Sequence, residues 1–228
     1  MMDTPTTHFT IDKLVRLDQC QQGNYCRGLT PFDLLGERLG AWLGVILRSF
    51  HVGDKPVVHG KVLPGALVEG AVYVSEGAVI EPTAYVQGPC FIGPDAEVRH
   101  GAYIRGQVYV GPRAVVGHCS EIKNSVLFDG AKAAHFAYVG DSILGRDVNL
   151  GAGTKLANLP LKRGIIRFKN PISGSLESSG LKKFGALLGD DSQTGCNAVL
   201  SPGTILMPGT AVMPCAHFRG TLLKGNYP

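Results

Sequence analysis

The chain has 228 residues, a formal net charge of +4 at pH 7, 44% hydrophobic residues and 31 glycines. This length suits one large domain or two small ones, and the apolar content argues against intrinsic disorder. The glycines follow no G-X-Y period, which excludes collagen, and the mild net charge indicates neither a nucleic-acid partner nor a membrane surface.

Three features of the sequence indicate the compartment in which the protein resides. The opening residues, MMDTPTTHFT, lack a basic stretch followed by an apolar one, so we expect no signal peptide. The apolar run within residues 31–50 is too short to span a membrane. The six cysteines form no CxxC pair, which indicates free thiols. We therefore predict a cytoplasmic protein.

Residues 1–55 lack the repeat that follows and are predicted to form an N-terminal segment. Within them PFDLLGERLGAWLGVILRSF, residues 31–50, begins with a proline-containing cap and predicts an apolar helix. We expect this helix to cap the open first coil of the repeat, whose strand edges would otherwise be unpaired.

A six-residue rhythm governs residues 56–215. Every sixth residue from Val62 to Ala134 is apolar, and the residue four places after each is usually small. Neither a helix nor an ordinary strand has this period, whereas short parallel strands, three to a coil, produce it. The rhythm resumes at Val139, Leu144 and Leu150 and again from Leu188. The predicted fold class is an all-β solenoid, a parallel β-helix of hexapeptide repeats.

A loop over residues 157–187 interrupts this β-helix. It carries six basic residues against the single acid Glu177, and connections of such length are normally functional or disordered. Residues 216–228 are predicted to be a C-terminal tail.

We predict that polar side chains converge where the six-residue repeat becomes irregular. In the predicted coil one outward column reads Tyr85, Tyr103, Glu121, and its neighbour reads Gln87, Arg105, Lys123. Two five-residue steps, placed after Ala134, bring Tyr138 onto the column of Glu121, with His135 at the preceding corner and Asn149 near it on the adjoining face. Each residue also has an ordinary interpretation, since outward cations are usually solvated and outward aromatic residues usually pack against a partner.

The motif SEIKNSVLFDGAKAAHFAYVGDSILGRDVNLGAGT resembles the acetyltransferase half of the bifunctional N-acetylglucosamine-1-phosphate uridyltransferases, with their pattern E-M-K, K-A-G-H-x-x-Y-L-G-D and N-I-G-A-G-T. The stretches ANLPLKRG and SSGLKKFGALLGDDSQTGCNAVLSPG are similar to archaeal sugar-1-phosphate nucleotidylyltransferases, which share that domain. The resemblance covers about residues 60–215. It implies a left-handed β-helix, a homotrimer with sites between subunits, and acetyl-CoA as cosubstrate.

Carried over by position, the resemblance implies a role for each matching residue. His135 matches the general base, Glu121 a carboxylate beside the amino-sugar, and Asn158 an asparagine near the acetyl group. Ala152 matches the residue whose N–H faces the thioester oxygen, and Cys196 stands where the bacterial family has a serine that contacts coenzyme A. The implied sugar-phosphate ligands are Arg105, Lys123, Tyr138, Asn149 and, for a loop cation without a unique match, Lys162 or Arg163.

These residue types suit the chemistry. An amine attacks a thioester only when neutral, so a base with a pKa near 7 must take its proton, and histidine meets this need. The oxyanion that forms needs preorganised N–H donors. A sugar phosphate needs cations, of which arginine binds in a bidentate manner and lysine as a point charge.

Two features depart from the family pattern besides Cys196. The glycine-rich loop L-x-x-G-x-G-T-R-M of the nucleotidyltransferase domain is absent from this sequence, and Ala134 replaces the glycine before the histidine. A separate nucleotidyltransferase chain is therefore a candidate partner.

Three hypotheses follow. The first is an acetyl-CoA-dependent acyltransferase that acts on an amino-sugar 1-phosphate similar to glucosamine 1-phosphate. The second is a non-catalytic module or trimeric scaffold that binds a sugar phosphate or nucleotide sugar, which binding without turnover would distinguish. The third is a zinc enzyme that uses His100, His118 and His135, spaced 18 and 17 residues apart; the resemblance itself implies no metal.

Overall fold

The computed structural model describes residues 9–228. Within that range, three parallel sheets of nine, nine and eight strands wind around one core. Among the strands before the extruded loop, paired strands are three places apart along the chain, so three strands complete one coil. The fold class predicted from the sequence, a parallel β-helix of hexapeptide repeats, is confirmed.

Short helical elements precede the strands. They are 3₁₀ turns at Ile11–Lys13, Leu17–Gln19, Gly23–Cys26 and Pro31–Leu34, followed by helix α1 at Gly36–Ser49. No helix among the described residues is long and apolar enough to cross a membrane.

The first eighteen strands are two to four residues long and form the coils up to the extruded loop. They are β1 (Val57–Val58), β2 (Lys61–Val62), β3 (Leu67–Glu69), β4 (Val72–Val74), β5 (Val79–Ile80), β6 (Tyr85–Gln87), β7 (Cys90–Ile92), β8 (Glu97–Val98), β9 (Tyr103–Arg105), β10 (Val108–Val110), β11 (Val115–His118), β12 (Glu121–Lys123), β13 (Ser125–Leu127), β14 (Lys132–His135), β15 (Tyr138–Gly140), β16 (Ile143–Leu144), β17 (Asn149–Leu150) and β18 (Lys155–Leu156).

The remaining strands belong to the loop and to the last coils. The loop carries the antiparallel pair β19 (Arg167–Lys169) and β20 (Leu176–Ser178). The last coils contain β21 (Ala186–Leu188), β22 (Gln193–Thr194), β23 (Val199–Leu200), β24 (Thr204–Leu206), β25 (Ala211–Val212), β26 (His217–Phe218), β27 (Thr221–Leu222) and β28 (Asn226–Tyr227).

Three faces result from this pairing. Face A is the sheet from β1 through β10, β13 and β16 to β27; face B runs from β2 through β11, β14 and β17 to β28; and face C runs from β3 through β12, β15 and β18 to β26. Aliphatic side chains such as Val86, Ile104 and Ile122 point inward and are buried. Alanines such as Ala84 and Ala102 are buried beside them, because a larger side chain at such a corner would collide with the next coil.

The position of the shortened steps differs from the prediction. The register pairs Val110 with Leu127 and Ile122 with Val139, an offset of 17 residues. The five-residue steps are therefore Ile122 to Leu127 and Val139 to Leu144. The predicted step from Val139 to Leu144 is confirmed, whereas the step predicted between Ala134 and Val139 is wrong, because it lies earlier in the chain. Leu127–Phe128 and Ala133–Ala134 are adjacent apolar pairs, so the sequence permits either residue of each pair to point inward. Phe128 faces outward, where it packs beside Tyr109 with ring centroids 6.3 Å apart.

The N-terminal segment lies along face A, so the prediction that its helix caps the first coil is wrong for the described residues. Trp42 of α1 meets Tyr109 edge to face with centroids 5.2 Å apart, and Phe50 packs on Tyr73 at 4.3 Å. Burial of the outward aromatic column of this face stabilises the fold. Val58 and Leu67 of the first coil remain exposed.

The strands continue through residues 216–228, where the sequence analysis places a tail. β26, β27 and β28 each pair with a strand of the preceding coil. Phe218 continues the inward column of face C and is buried. The last coil thus extends the β-helix at least to Tyr227.

The extruded loop is docked on the N-terminal segment. Phe168 and Phe184 are buried, and both pack against Phe32, with centroids 4.7 and 5.5 Å from its ring. The loop is therefore an ordered part of the structure.

Candidate functional site

The outward surface of face C carries the first group of predicted site residues. Glu121 lies in register between Tyr103 and Tyr138, as the sequence predicts. Arg105 Nη1 donates to Glu121 Oε1 at 2.8 Å, and its guanidinium lies 5.8 Å from the Tyr103 ring centroid. The hydrogen bond to Glu121 raises the pKa of Arg105. Arg105 is thus a fixed cation on an otherwise open surface.

A half-buried polar cluster adjoins this pair. Lys123 Nζ lies 3.6 Å from Asp141 Oδ2, and the two side chains are 13% and 4% exposed. Asn158 donates its amide to Asp141, and Tyr138 donates its hydroxyl to Asn158 Oδ1 at 3.3 Å. Burial raises the pKa of Tyr138, with a further contribution from Glu121 and Asp141, so Tyr138 remains a neutral donor at pH 7.

Asp141 is the residue of this polar cluster that sequence reasoning missed. It connects Lys123 to Asn158 and also accepts from Asn124 Nδ2 at 3.2 Å. Its backbone is left-handed, with φ of 47°, a conformation that aspartate tolerates better than most residues. The signal was present, since Asp141 ends the Y-V-G-D match to the family pattern.

The corner between faces B and C brings three predicted residues into one column. His135 ends β14, and the 17-residue offset of that face places Ala152 one coil above it and Cys196 above Ala152. The Gly153 N–H donates to the His135 carbonyl at 3.0 Å, and the Asn197 N–H donates to the Ala152 carbonyl at 2.8 Å. Within residues 9–228 no recorded hydrogen bond uses the Ala152 N–H.

This corner column and the polar cluster border opposite edges of face C. Strand β15, Tyr138–Gly140, crosses the face between His135 and Asp141. Three strand residues span roughly 10 Å. An elongated ligand that lies across β15 therefore contacts both groups.

Two predicted residues lie elsewhere. Asn149 pairs with Lys132 and Gln193 on face B and is exposed. The prediction that it lies near His135 is therefore wrong, because its register position is three residues before that of Ala152. Lys162 is exposed on the extruded loop.

The histidines of the zinc hypothesis lie along one corner, with His118 in register with His135. The rings of His100 and His118 are stacked with centroids 5.4 Å apart, and His118 Nδ1 lies 3.0 Å from the His100 carbonyl oxygen. Among the described residues no group of three His, Cys, Asp or Glu side chains is placed to hold a metal ion.

A groove of about 780 Å³ separates the extruded loop from the last coils. Its lining includes Ala157, Leu161, Lys162, Phe168 and Arg219. Ala157 precedes Asn158 of the polar cluster, so this groove begins next to the site but extends away from the His135 corner.

Comparisons with known proteins identify relatives of this chain. Residues 86–213 match the family model described as the GMPPB C-terminal domain. The bifunctional protein GlmU of Methanococcus aeolicus is 37% identical over 177 residues, which cover 76% of this chain and 39% of that protein. GlmU of Methanococcus maripaludis strain C7 is 50% identical over 150 residues, covering 64% and 35%.

A third relative is the bifunctional sugar-1-phosphate nucleotidylyltransferase/acetyltransferase of Sulfurisphaera tokodaii. It is 42% identical over 83 residues, which cover 36% of this chain and 20% of that protein. The chain thus spans less than two fifths of the length of each of these relatives.

Solved structures with a similar backbone include two UDP-N-acetylglucosamine acyltransferases. That of Arabidopsis has a TM-score of 0.38 and 12% identity over 75% of this chain and 69% of its own. That of Campylobacter jejuni has a TM-score of 0.37 and 18% identity over 70% and 65%.

The family match extends over more than half of this chain and includes the predicted site residues of face C and of the His135 corner. The GlmU relatives agree with the motifs from which the resemblance was inferred. The chain therefore belongs to the family of the GMPPB C-terminal domain.

Proposed function

We propose that this chain transfers an acyl group from a coenzyme A thioester to a sugar-linked acceptor. In its specific form, the proposal is N-acetylation of an amino-sugar 1-phosphate such as glucosamine 1-phosphate, with acetyl-CoA as donor. The observation that carries it is the alignment of His135, Ala152 and Cys196 on one corner, beside a face that bears two cations. The relative from Sulfurisphaera tokodaii, named in part an acetyltransferase, supports the acyl-transfer class.

Face C supplies the acceptor subsite. Arg105 and Lys123 lie in adjacent positions of neighbouring coils, about 4.8 Å apart along the sheet. A phosphate group placed over them would share the Arg105 guanidinium with Glu121 and Lys123 with Asp141. Tyr138 offers a neutral hydroxyl to the sugar. Glu121, one position from these cations, would attract the protonated amine of an incoming amino-sugar.

The His135 corner supplies the reacting groups. His135 takes the proton from the ammonium group, and the freed amine attacks the thioester carbonyl carbon. The Ala152 N–H stabilises the oxyanion that forms, because its donor is not engaged within the described chain. As the carbon–sulfur bond breaks, the sulfur leaves as a thiol with the proton from His135, and the nitrogen loses its second proton to solvent, which leaves a neutral amide. Cys196 contacts the donor, and Asn158, held by Tyr138 and Asp141, orients the acceptor.

Asn149 enters this scheme from a second copy. Its exposed position on face B keeps it away from face C of its own chain. In a homotrimer with sites between subunits, face B of one copy would supply Asn149 to the phosphate held on face C of the next.

The test is thiol release from acetyl-CoA with glucosamine 1-phosphate and with galactosamine 1-phosphate as acceptors. We expect turnover with one of them and its loss by a factor of at least about 100 in His135→Ala. Calorimetric binding of the sugar phosphate to that variant should stay within about threefold of wild type, since His135 lies outside the phosphate subsite. Equal loss of binding and turnover would refute the base assignment, and binding without any turnover would establish the non-catalytic module instead.

A further inference from the structure

The groove beside the extruded loop is a separate feature from the proposed active site. Its walls are the loop on one side and Ser201, Gly203 and Arg219 of the last coils on the other. Its volume of about 780 Å³ falls in the range of pockets that bind small molecules. The His135 corner lies at the other edge of face C, so no step of the proposed reaction uses this groove.

Apolar side chains line this groove and reach solvent. Ile166 and Phe168 are buried lining residues, whereas Leu159, Leu161 and Leu176 of the lining are exposed, Leu161 completely. Large apolar side chains that cluster on a surface around a concavity mark a binding site more often than chance exposure does.

The charges of the groove are uniformly positive. Its cationic lining residues are Lys162, Arg167, Lys169 and Arg219, and no aspartate or glutamate lines it. Among the ion pairs of residues 9–228, none includes Lys162, Lys169 or Arg219. By contrast, Arg105 and Lys123 on face C are each paired with a carboxylate. The groove therefore offers cations that no carboxylate of the described residues neutralises.

We propose that this groove binds a soluble anionic amphiphile, a single alkyl chain that carries a phosphate group. The alkyl chain packs between Leu159, Leu176 and the buried Phe168, and the phosphate lies between Arg219 and Lys169. Apolar area supplies affinity and the unpaired cations supply orientation. This assignment does not depend on the proposed acyl transfer, and the tests below measure binding to the groove alone.

The first test is calorimetric titration of the full chain with inorganic phosphate and with butyl, hexyl and octyl phosphate below their micelle concentrations. We expect the dissociation constant to fall by up to about fourfold per added methylene group. An affinity that is the same for inorganic phosphate and octyl phosphate would overturn the proposal, because the cations alone would then account for binding.

Two matched variants test where the alkyl chain binds in the groove. Leu176→Ser should weaken octyl phosphate about tenfold. Ile172→Ser is the control, because Ile172 is 56% exposed on the same hairpin, close to the 55% of Leu176, but does not line the groove. Equal weakening in both variants would overturn the placement.

A second pair of variants tests where the phosphate group binds. Arg219→Gln should weaken octyl phosphate about tenfold, whereas Lys182→Gln, an exposed loop cation outside the lining, should leave it unchanged. Both substitutions alter exposed side chains, and thermal unfolding will confirm that each variant is folded. Binding to anionic phospholipid vesicles but to no soluble alkyl phosphate would refute the groove as a single-molecule site and indicate a lipid surface.

Discussion

At the scale of single residues, Asp129 has an unusual environment. Its carboxylate is buried, Oδ2 accepts from the Gln21 N–H at 3.4 Å, and Oδ1 has no partner within the described chain. Burial raises the pKa of Asp129 above its ordinary value. The hydroxyl of Tyr109 is also buried without a partner there, and burial and Asp129 together raise its pKa.

The raised pKa of Asp129 predicts a pH dependence of stability. Between the unfolded and the folded pKa the folded state binds more protons, so the free energy of unfolding falls as pH rises through that window. Asp129→Asn should therefore raise the free energy of unfolding at pH 8 by about 1 kcal/mol and change it less near pH 4. Urea unfolding at both pH values measures this.

Asp95→Asn serves as the control for Asp129. Asp95 is exposed at a corner with φ of 56°, which asparagine also tolerates. A gain from Asp129→Asn that is equal at the two pH values would contradict the assignment of the effect to its ionisation.

At the scale of elements, the approach of β11 to β14 positions His135. A Cβ on Gly117 would lie 1.7 Å from the Ala134 carbonyl oxygen, so any side chain there must push the two strands apart. His135 follows Ala134 and pairs with His118 of the same strand pair. Glycine at position 117 thus permits the close spacing of the two strands on which the position of the proposed base depends.

Gly117→Ala tests this relation. We expect it to lower the free energy of unfolding by about 1–3 kcal/mol, as overpacking does, and to reduce thiol release more than tenfold. Gly53→Ala is the control, since no atom lies within 4 Å of the added Cβ. Full activity in a destabilised Gly117→Ala would show that His135 is not the residue being displaced.

The same elements show how far the sequence determines this structure. The six-residue rhythm predicts the strands, and a five-residue step before Val139 predicts the stacking of Glu121 with Tyr138. It cannot decide between Leu127 and Phe128 as inward residues, because both are apolar and the choice depends on whether the N-terminal segment covers face A. The link from Asp141 to Asn158 joins adjacent coils through side chains, which spacing alone does not reveal.

At the scale of the whole molecule, the separation of His135 from Asn149 predicts complementation between subunits. Neither His135→Ala nor Asn149→Ala should be fully active alone, whereas a trimer that combines them contains sites with both native residues. Random mixing of equal amounts restores about a quarter of the sites. Thiol release after co-refolding measures the recovery, and a mixture of His135→Ala with His135→Gln is the control. No recovery above the parent variants would place Asn149 outside the site.

The N-terminal segment along face A also changes how the molecule unfolds. Its apolar side chains share one cluster with residues from Phe91 to Ile205, and the Leu14 carbonyl accepts from the Asp190 N–H at 2.8 Å. Coils of a solenoid otherwise contact only their nearest neighbours and can fray from either end. Because this segment touches early and late coils at once, fraying of the last coils also costs contacts made by residues 9–50. We therefore expect this elongated protein to unfold in a single cooperative transition.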